Sequence, residues 1–533
     1  MNQLEIEHAA IVSNSEEESD LFFVDLLGCK KTRSFTIAKE MMEKFFQVSI
    51  EQDVVRYEKG NASFEVFISN KDKKIQEPFT HTCLLIHNRD GLLQKAKKMG
   101  FTTIKVHRAD SDLYYFFLKD HHGNIFEIKD LTIDNMSDEK DYLKIIESEA
   151  YHHTKLFPKR NFIITRGEGA LLYDQNGKIY IDCVAGHGVM NIGHAHPKYI
   201  KALQEQLNKI VMVPSGYAVE ERHVLLKKLD EITPKSLTQS FLSNSGTESI
   251  EAAIKLALVS NRSIKSPEII AFKRDFHGRS LGSLATTFNT RYRKPFMSWL
   301  SPHVKFASHG NIDSVRDLIS DNTVAIVMEL VQGEGGVYPF KTEFPKELRE
   351  LCDDKGLILI DDEIQTGFGR TGKMFAYEHY DITPDVICMA KGIAGGLPMG
   401  ATVAPEELWN NFQVGEHYTT FGGNPFVCTA ANATINIILE ENLVENSAKM
   451  GAKMLARFRE MAEDNSNIRE VRGLGLMIGV DFRKPVNDRI QNASDMGVLF
   501  LNAGMTVIRL LPPLIINDDQ VEKVINVMNE IAS

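Results

Sequence analysis

Three short apolar runs in the later part of the sequence each lead straight into residues able to do chemistry. The run 325–328 is followed by Glu329, the run 357–360 by Asp361, Asp362 and Glu363, and the run 386–389 by Ala390, Lys391 and Gly392. Runs apolar on both faces and separated by helical patterns predict parallel strands covered on both sides. Ligands of such sheets bind beyond the carboxyl ends of the strands. Acids and one lysine therefore stand where a ligand would sit. A second feature is Ser243-Asn-Ser-Gly-Thr-Glu248, which opens a helix with an apolar face of Ile250, Ala253, Ile254, Ala257 and Leu258. Gly246 permits close backbone approach, Thr247 offers a hydroxyl, and the free N–H groups of the first turn suit a phosphate. Alone, such a helix start is more often just a cap.

A lysine, an acid and a phosphate cradle are together what a pyridoxal 5'-phosphate enzyme requires. The lysine forms the Schiff base, and the acid pairs with the pyridinium nitrogen. A partly desolvated lysine with a lowered pKa can attack an aldehyde and later move a proton. Several longer blocks surround these residues in order. They are Phe276-His-Gly-Arg279, Gln332-Gly-Glu-Gly-Gly336, Asp362-Glu-Ile-Gln-Thr-Gly-Phe-Gly-Arg-Thr-Gly372, Ala390-Lys-Gly392 with Gly395-Gly396, and Thr420-Phe-Gly-Gly-Asn-Pro425. In these blocks the chain from about 161 to its end resembles a class III (ω-amino) aminotransferase of fold type I.

That resemblance implies an α/β fold in which a large domain with a mixed, mostly parallel seven-stranded sheet (about 206–429) is joined by a small domain (about 161–205 and 430–533). It implies Lys391 as the Schiff-base lysine and Asp362 as the partner of the ring nitrogen. Gln365 would approach the ring's phenolic oxygen, and Phe276 would stack on the ring. Gly246 and Thr247 would hold the phosphate, and His277 and Glu363 would complete the cofactor-binding set. Thr420 would reach the phosphate of a neighbouring subunit, making the enzyme a homodimer or larger. Arg279 would hold the carboxylate of the amino donor, with Thr419 beside it. Arg509 would grip the carboxylate of a 2-oxo acid, and Glu334 would shield that arginine while the donor is bound. Glu329 would also face the substrate. Leu330, where the family usually has Pro, and His187, at a variable substrate-facing position, depart from the pattern.

Within the family the resemblance is to acetylornithine aminotransferases and to those acting on an N-blocked lysine. The implied reaction moves a terminal amino group to 2-oxoglutarate and gives a semialdehyde and glutamate. Ornithine, 4-aminobutyrate or a diamine are the alternative donors. A non-catalytic protein of this fold is disfavoured by the presence of Lys391, Asp362 and Arg509.

Residues 1–130 have another rhythm. The first half opens on Ile6-Glu-His8. An acidic stretch at 16–20 then leads into an apolar run ending at Gly28, which reads as a helix, and short strands follow to 62–67. The second half repeats the layout with a strand at 79–86, a helix at 91–99 closed by Gly100, and strands at 114–118 and 124–128. His8 and His81 lie 73 residues apart, and a duplicated strand–helix–strands unit is the economical description. Each half begins with a His and ends with a Glu: His8 and Glu65, His81 and Glu127. Imidazole with carboxylate suits a divalent transition metal. With the Lys119-Asp-His-His-Gly-Asn124 turn, this α+β βαβββ duplication resembles the vicinal-oxygen-chelate (glyoxalase-like) superfamily. The resemblance implies a metal on those four residues, and with it a bifunctional enzyme doing glyoxalase- or epimerase-type chemistry. A metal-free accessory module is the competing reading. Residues 131–160 read as a polar linker with a helix around 142–149.

The bulk composition bounds these readings. A chain of 533 residues, 43% hydrophobic and 25% charged, suits a soluble protein of two to four domains. A net charge of −11 argues against nucleic acid as a partner. Six scattered cysteines with no C-x-x-C pair suggest free thiols in a reducing compartment. No basic leader and no apolar run of about 18 residues is present, which predicts a cytoplasmic protein.

Overall fold

The computed structural model describes residues 9–46, 49–59, 62–69, 81–86, 89–107, 114–130, 139–156 and 159–533. The chain divides into two compact units, Met1–Arg166 with Asp174–Gly177, and Gly167–Tyr173 with Lys178–Ser533.

The first unit holds two four-stranded sheets of identical topology. Strands β1 (Ala9–Ser13), β2 (Lys30–Ile37), β3 (Gln52–Lys59) and β4 (Ala62–Ile68) are ordered β1-β4-β3-β2. Strands β5 (His81–Ile86), β6 (Thr102–His107), β7 (Tyr114–Lys119) and β8 (Ile125–Asp130) are ordered β5-β8-β7-β6. In each sheet the first strand runs parallel to the last and the other pairings are antiparallel. The registers also repeat. Ala10 lies opposite Glu65, and Cys83, 73 residues after Ala10, lies opposite Glu127.

The expected helix starts at Glu16, where the Ser15 hydroxyl accepts from the Glu18 N–H, and closes on Gly28 at φ 71°. Its second part, Asp20–Leu26, winds as a π-helix that buries Phe22 and Phe23. Those rings meet Phe126 and Tyr57 at 4.7 and 4.9 Å between centroids, forming the core. A helix at Lys39–Phe46 was not expected from the sequence. The linker helix runs Glu139–His152, longer than its sequence signal.

The second unit is organised by a seven-stranded sheet. Its strands are β9 (Gln239–Ser243), β10 (Glu268–Phe272), β11 (Val304–Ala307), β12 (Thr323–Met328), β13 (Ile358–Asp362), β14 (Val386–Met389) and β15 (Gly400–Ala404), in the order β9-β15-β14-β13-β12-β10-β11. The sheet is parallel except that β15 runs against both neighbours. Strands β10, β12, β13 and β14 consist of buried residues for nearly their whole length, as runs apolar on both faces require. Register fixes what stands at the edge. Met328 pairs with Asp361, and Asp362 with Cys388. Glu329, Asp362 and Lys391 therefore emerge at the carboxyl ends of three adjacent strands. Ser243 pairs with Gly400, and Met389 with Ala401. The helix Gly246–Val259 thus begins at the same edge, with Ile250, Ala253, Ile254 and Ala257 buried as expected. A separate antiparallel sheet, Ile468–Leu474, Met477–Phe482, Val507–Leu510 and Leu501–Ala503 in that order, carries Arg509.

Candidate active site

A cavity of about 540 Å³ opens at this edge, lined among others by His187, Gly246, Thr247, Phe276, His277, Arg279, Glu329, Glu334, Asp362, Gln365, Lys391 and Arg509. Twelve of the residues singled out in the sequence thus share one cavity.

Lys391 follows β14 with φ 41°, in the left-handed region that a side chain adopts only under constraint. Burial lowers its pKa; the Asp362 charge opposes this, and the Arg509 charge adds to it. Asp362 is buried at the next strand end. One of its oxygens lies 2.6 Å from His277 Nδ1, and the other accepts from the Ile364 N–H at 3.0 Å. On its far side His277 Nε2 lies 3.3 Å from Asp275, whose second oxygen accepts from the Gln332 amide at 2.7 Å. Burial opposes the charged imidazole, but Asp275 and Asp362 outweigh it and push its pKa up to about 10. His277 is therefore an imidazolium clamped between two aspartates.

At the helix start, the Glu248 N–H is taken by Ser245 Oγ and the Ser249 N–H by the Ser245 carbonyl. Gly246 and Thr247 line the cavity. A Cβ on Gly246 would come within 2.8 Å of the Ile364 side chain, so any larger residue would have to displace Ile364. Thr247 differs from expectation. Its hydroxyl lies 2.7 Å from Ser280 Oγ and 2.6 Å from Ser283 Oγ, and Ser280 donates to Glu251 at 2.5 Å. A carboxylate only accepts, which orients the chain of hydroxyls toward Glu251. The Thr247 hydroxyl is thus engaged by Ser280 and Ser283 in this structure.

Across the cavity, Arg509 is 1% exposed and donates to Glu334 at 3.0 Å and to Gln365 Oε1 at 3.2 Å. It is a buried paired charge, not a surface one. Arg279 lies 5.1 Å from the Phe276 ring and 4.5 Å from that of Tyr292. His187 lines the wall at φ 64°, and burial, then Arg509 and Lys391, lower its pKa and keep it neutral.

Glu363 and Glu329 also sit differently from expectation. Glu363 does not line the cavity; alternation along the strand turns it to the opposite face, where it accepts from the Thr366 hydroxyl and the Tyr377 N–H. Glu329 lines the cavity, but its oxygens accept from the Phe276 and Gly333 N–H groups at 2.8 and 3.2 Å. It braces the site, and burial pushes its pKa up to about 8. Thr419 and Thr420 do not line this chain's own cavity, as fits a Thr420 expected to serve a neighbouring subunit. Thr419 accepts from Asn244 at 2.9 Å, and Thr420 is exposed. The departure at Leu330 leaves the turn intact, since the Leu330 carbonyl accepts from the Phe340 N–H. Tyr292 and Asp275 are functional candidates that the sequence reading missed.

Asp361 shares the reverse face with Glu363. Burial and then the Glu363 charge raise the Asp361 pKa well above the carboxylate range, while burial pushes Glu363 up to about 7. An acid with a raised folded pKa contributes its full stability below its unfolded value of about 4 and loses it as pH rises. Asp361→Asn is therefore expected to stabilise the protein by on the order of 2 kcal/mol at pH 8 and by little at pH 5. Thermal unfolding at the two pH values checks this; equal destabilisation at both would refute it.

In the described second unit, a buried lysine facing a carboxylate, beside a glycine-tight helix start, defines a site built for pyridoxal phosphate. The comparisons agree. The family model for aminotransferase class-III matches residues 155–532. The chain is 42% identical over 383 residues to an acetylornithine aminotransferase of Archaeoglobus fulgidus, covering 72% of this chain and 99% of that one. It is 42% identical over 384 residues to a [LysW]-aminoadipate semialdehyde transaminase of Deinococcus radiodurans, covering 72% and 88%. An ornithine aminotransferase structure from Toxoplasma gondii superposes with a TM-score of 0.71 at 26% identity, covering 73% of this chain and 93% of that one. The chain belongs to the class-III aminotransferases, a family of pyridoxal-phosphate enzymes, and is itself an aminotransferase.

Proposed function

We propose that this enzyme moves the terminal amino group of an acetylornithine- or N-blocked-lysine-like donor to 2-oxoglutarate, giving a semialdehyde and glutamate. The ion pair of buried Arg509 with half-buried Glu334, in a cavity that Arg279 also lines, carries this reading. It gives one site two ways of meeting a carboxylate. With Glu334 on Arg509, the charge is masked and a donor held by its α-carboxylate at Arg279 presents its far amine to Lys391. With Glu334 withdrawn, Arg509 offers its planar fork to the acceptor. The names of the relatives support this donor class.

The residues fit the cofactor, which when bound supplies an aldehyde and an electron-accepting ring. Lys391 would bond the aldehyde carbon, Asp362 would hold a proton on the ring nitrogen, and the Gly246 and Thr247 amides would take the phosphate. Phe276 and Gln365 would border the ring. Lys391, displaced by the donor amine, would carry a proton between the amine-bearing carbon and the cofactor. Tyr217, Tyr418 and Phe421 are 62–67% exposed on segments joined by the bond from Ser215 to Gly422. This exposed aromatic patch, with Thr420 inside it, supports a homodimer in which Thr420 serves a neighbouring copy.

The test is a screen of donors with 2-oxoglutarate. Acetylornithine or an N-blocked lysine is expected to give the highest kcat/KM. A preference for ornithine or 4-aminobutyrate would overturn the donor class.

For the first unit we propose a glyoxalase-like module, supported by its two sheets of one topology and by the repeated register at Glu65 and Glu127. His8 and the side chain of His81 lie outside the described residues. Arg56 lies 3.4 Å from Glu65, and Lys129 lies 3.7 Å from Glu127. Among the described residues no group of three or more His, Cys, Asp or Glu is placed to hold a metal. Metal analysis of the full chain tests the four-residue site. One equivalent lost in His81→Ala supports it; a metal-free wild type leaves an accessory module. A cytoplasmic location is supported by the buried free thiols of Cys183, Cys352, Cys388 and Cys428. Among the described residues no helix is long and apolar enough to cross a membrane.

A further inference from the structure

Glu334 has partners on both oxygens. Arg509 Nη2 donates to one at 3.0 Å, and the Tyr292 hydroxyl donates to the other at 3.1 Å. Tyr292 is also the ring over which the Arg279 guanidinium lies, 4.5 Å from its centroid, and it meets Phe276 edge-on at 6.0 Å. It lines a second cavity of about 660 Å³, which shares Phe276 and Glu334 with the active-site cavity.

A carboxylate leaving Arg509 inside a partly desolvated cavity needs another donor, because a charge stripped of partners there is costly. The only side chain other than Arg509 bonded to Glu334 among the described residues is Tyr292. We propose that Tyr292 is a positioning residue for the exchange of substrates. Its hydroxyl is the pivot that Glu334 keeps when it withdraws from Arg509, so it sets how readily Arg509 becomes free for the acceptor. This rests on the reading of Arg509 as the acceptor's carboxylate site.

The two parts of the side chain differ in what they serve. The ring carries Arg279 on the donor side, while the hydroxyl donates to Glu334 on the acceptor side and also lies within reach of Arg279. Tyr292→Phe keeps the ring and removes the hydroxyl. In the state where Glu334 sits on Arg509, the carboxylate still has its arginine. In the withdrawn state it loses its remaining partner. The variant therefore favours the masked state and weakens binding of dicarboxylates selectively.

The experiment uses the holoenzyme and glutarate, an unreactive dicarboxylate, titrated by calorimetry, with each half-reaction followed in single turnover. Tyr292→Phe is expected to raise the glutarate Kd and the KM for 2-oxoglutarate roughly ten-fold, the worth of one hydrogen bond to a charged group. The donor half-reaction should slow by a clearly smaller factor, because the ring under Arg279 is kept and only the hydroxyl contact is lost. In a Glu334→Gln background, where no charge masks Arg509, the same change should have almost no effect on glutarate. Equal slowing of both half-reactions, or an undiminished effect in the Glu334→Gln background, would overturn the proposal. Glutarate binding that is insensitive to Arg509→Leu would instead overturn the acceptor-site reading beneath it.

Discussion

Lys391→Ala is expected to reduce transamination by roughly 10³–10⁴-fold or more, since proton transfer by a positioned side chain alone accounts for up to about 10⁴. Two structural facts make this the largest effect in the chain. Lys391 sits at the end of β14, one strand from Asp362, and both line the same cavity, where the Asp362 charge acts on the amine. Burial lowers its pKa, which leaves more of the amine neutral and nucleophilic near neutral pH. The left-handed backbone at φ 41° fixes where the side chain starts. Alanine bears the same backbone cost there as lysine, so the substitution adds no strain. Circular dichroism should therefore match wild type, while the absorption band of lysine-bound cofactor disappears. A variant with wild-type absorbance, or with turnover within about ten-fold of wild type, would remove Lys391 from the chemistry.

What the sequence revealed of this site depended on periodicity. Strands apolar on both faces announce a parallel sheet, and the residue after such a strand must lie at the sheet edge. That is why the apolar runs alone bring Glu329, Asp362 and Lys391 together. The same rule, carried one residue further, turns Glu363 away from Asp362, yet block similarity alone had put it with the cofactor. Tyr292 lies in a single helical turn, Thr290–Arg293, with no amphipathic repeat. Its partner Glu334 is brought to it by tertiary packing of a separate loop, and no spacing rule encodes that meeting. Asp275 was equally hidden. It follows Arg274 at φ 79°, and its role appears only once His277 is seen between two carboxylates. The helix Lys39–Phe46 did have a signal in Met41, Met42, Phe45 and Phe46, four apolar residues at helical spacing.

Asp362→Asn is expected to lower kcat by roughly 10²–10³-fold, the range for removing one preorganised electrostatic partner. The amide keeps the shape and the N–H contact from Ile364 but removes the negative charge. In the wild type that charge is shared between the cavity and His277, 2.6 Å behind it. His277 stays charged because Asp275 and Asp362 together outweigh its burial. With Asp362 neutral, the imidazolium keeps only Asp275, so its pKa falls toward neutrality. The variant is then expected to acquire a pH dependence between about 6 and 9 that the wild type, with His277 at about 10, does not show there. Asp275→Asn separates the two roles. It leaves the cavity-facing carboxylate in place and removes only the support behind His277, so its cost in kcat should be smaller while its pH profile shifts in the same direction. The checks are kcat at saturating donor and 2-oxoglutarate from pH 6 to 9 for both variants, with circular dichroism as the control for folding. If Asp275→Asn costs as much as Asp362→Asn, the Asp275–His277–Asp362 chain acts as one unit. If Asp362→Asn leaves kcat within about ten-fold of wild type, the carboxylate at this strand end is not the group that holds the proton on the ring nitrogen.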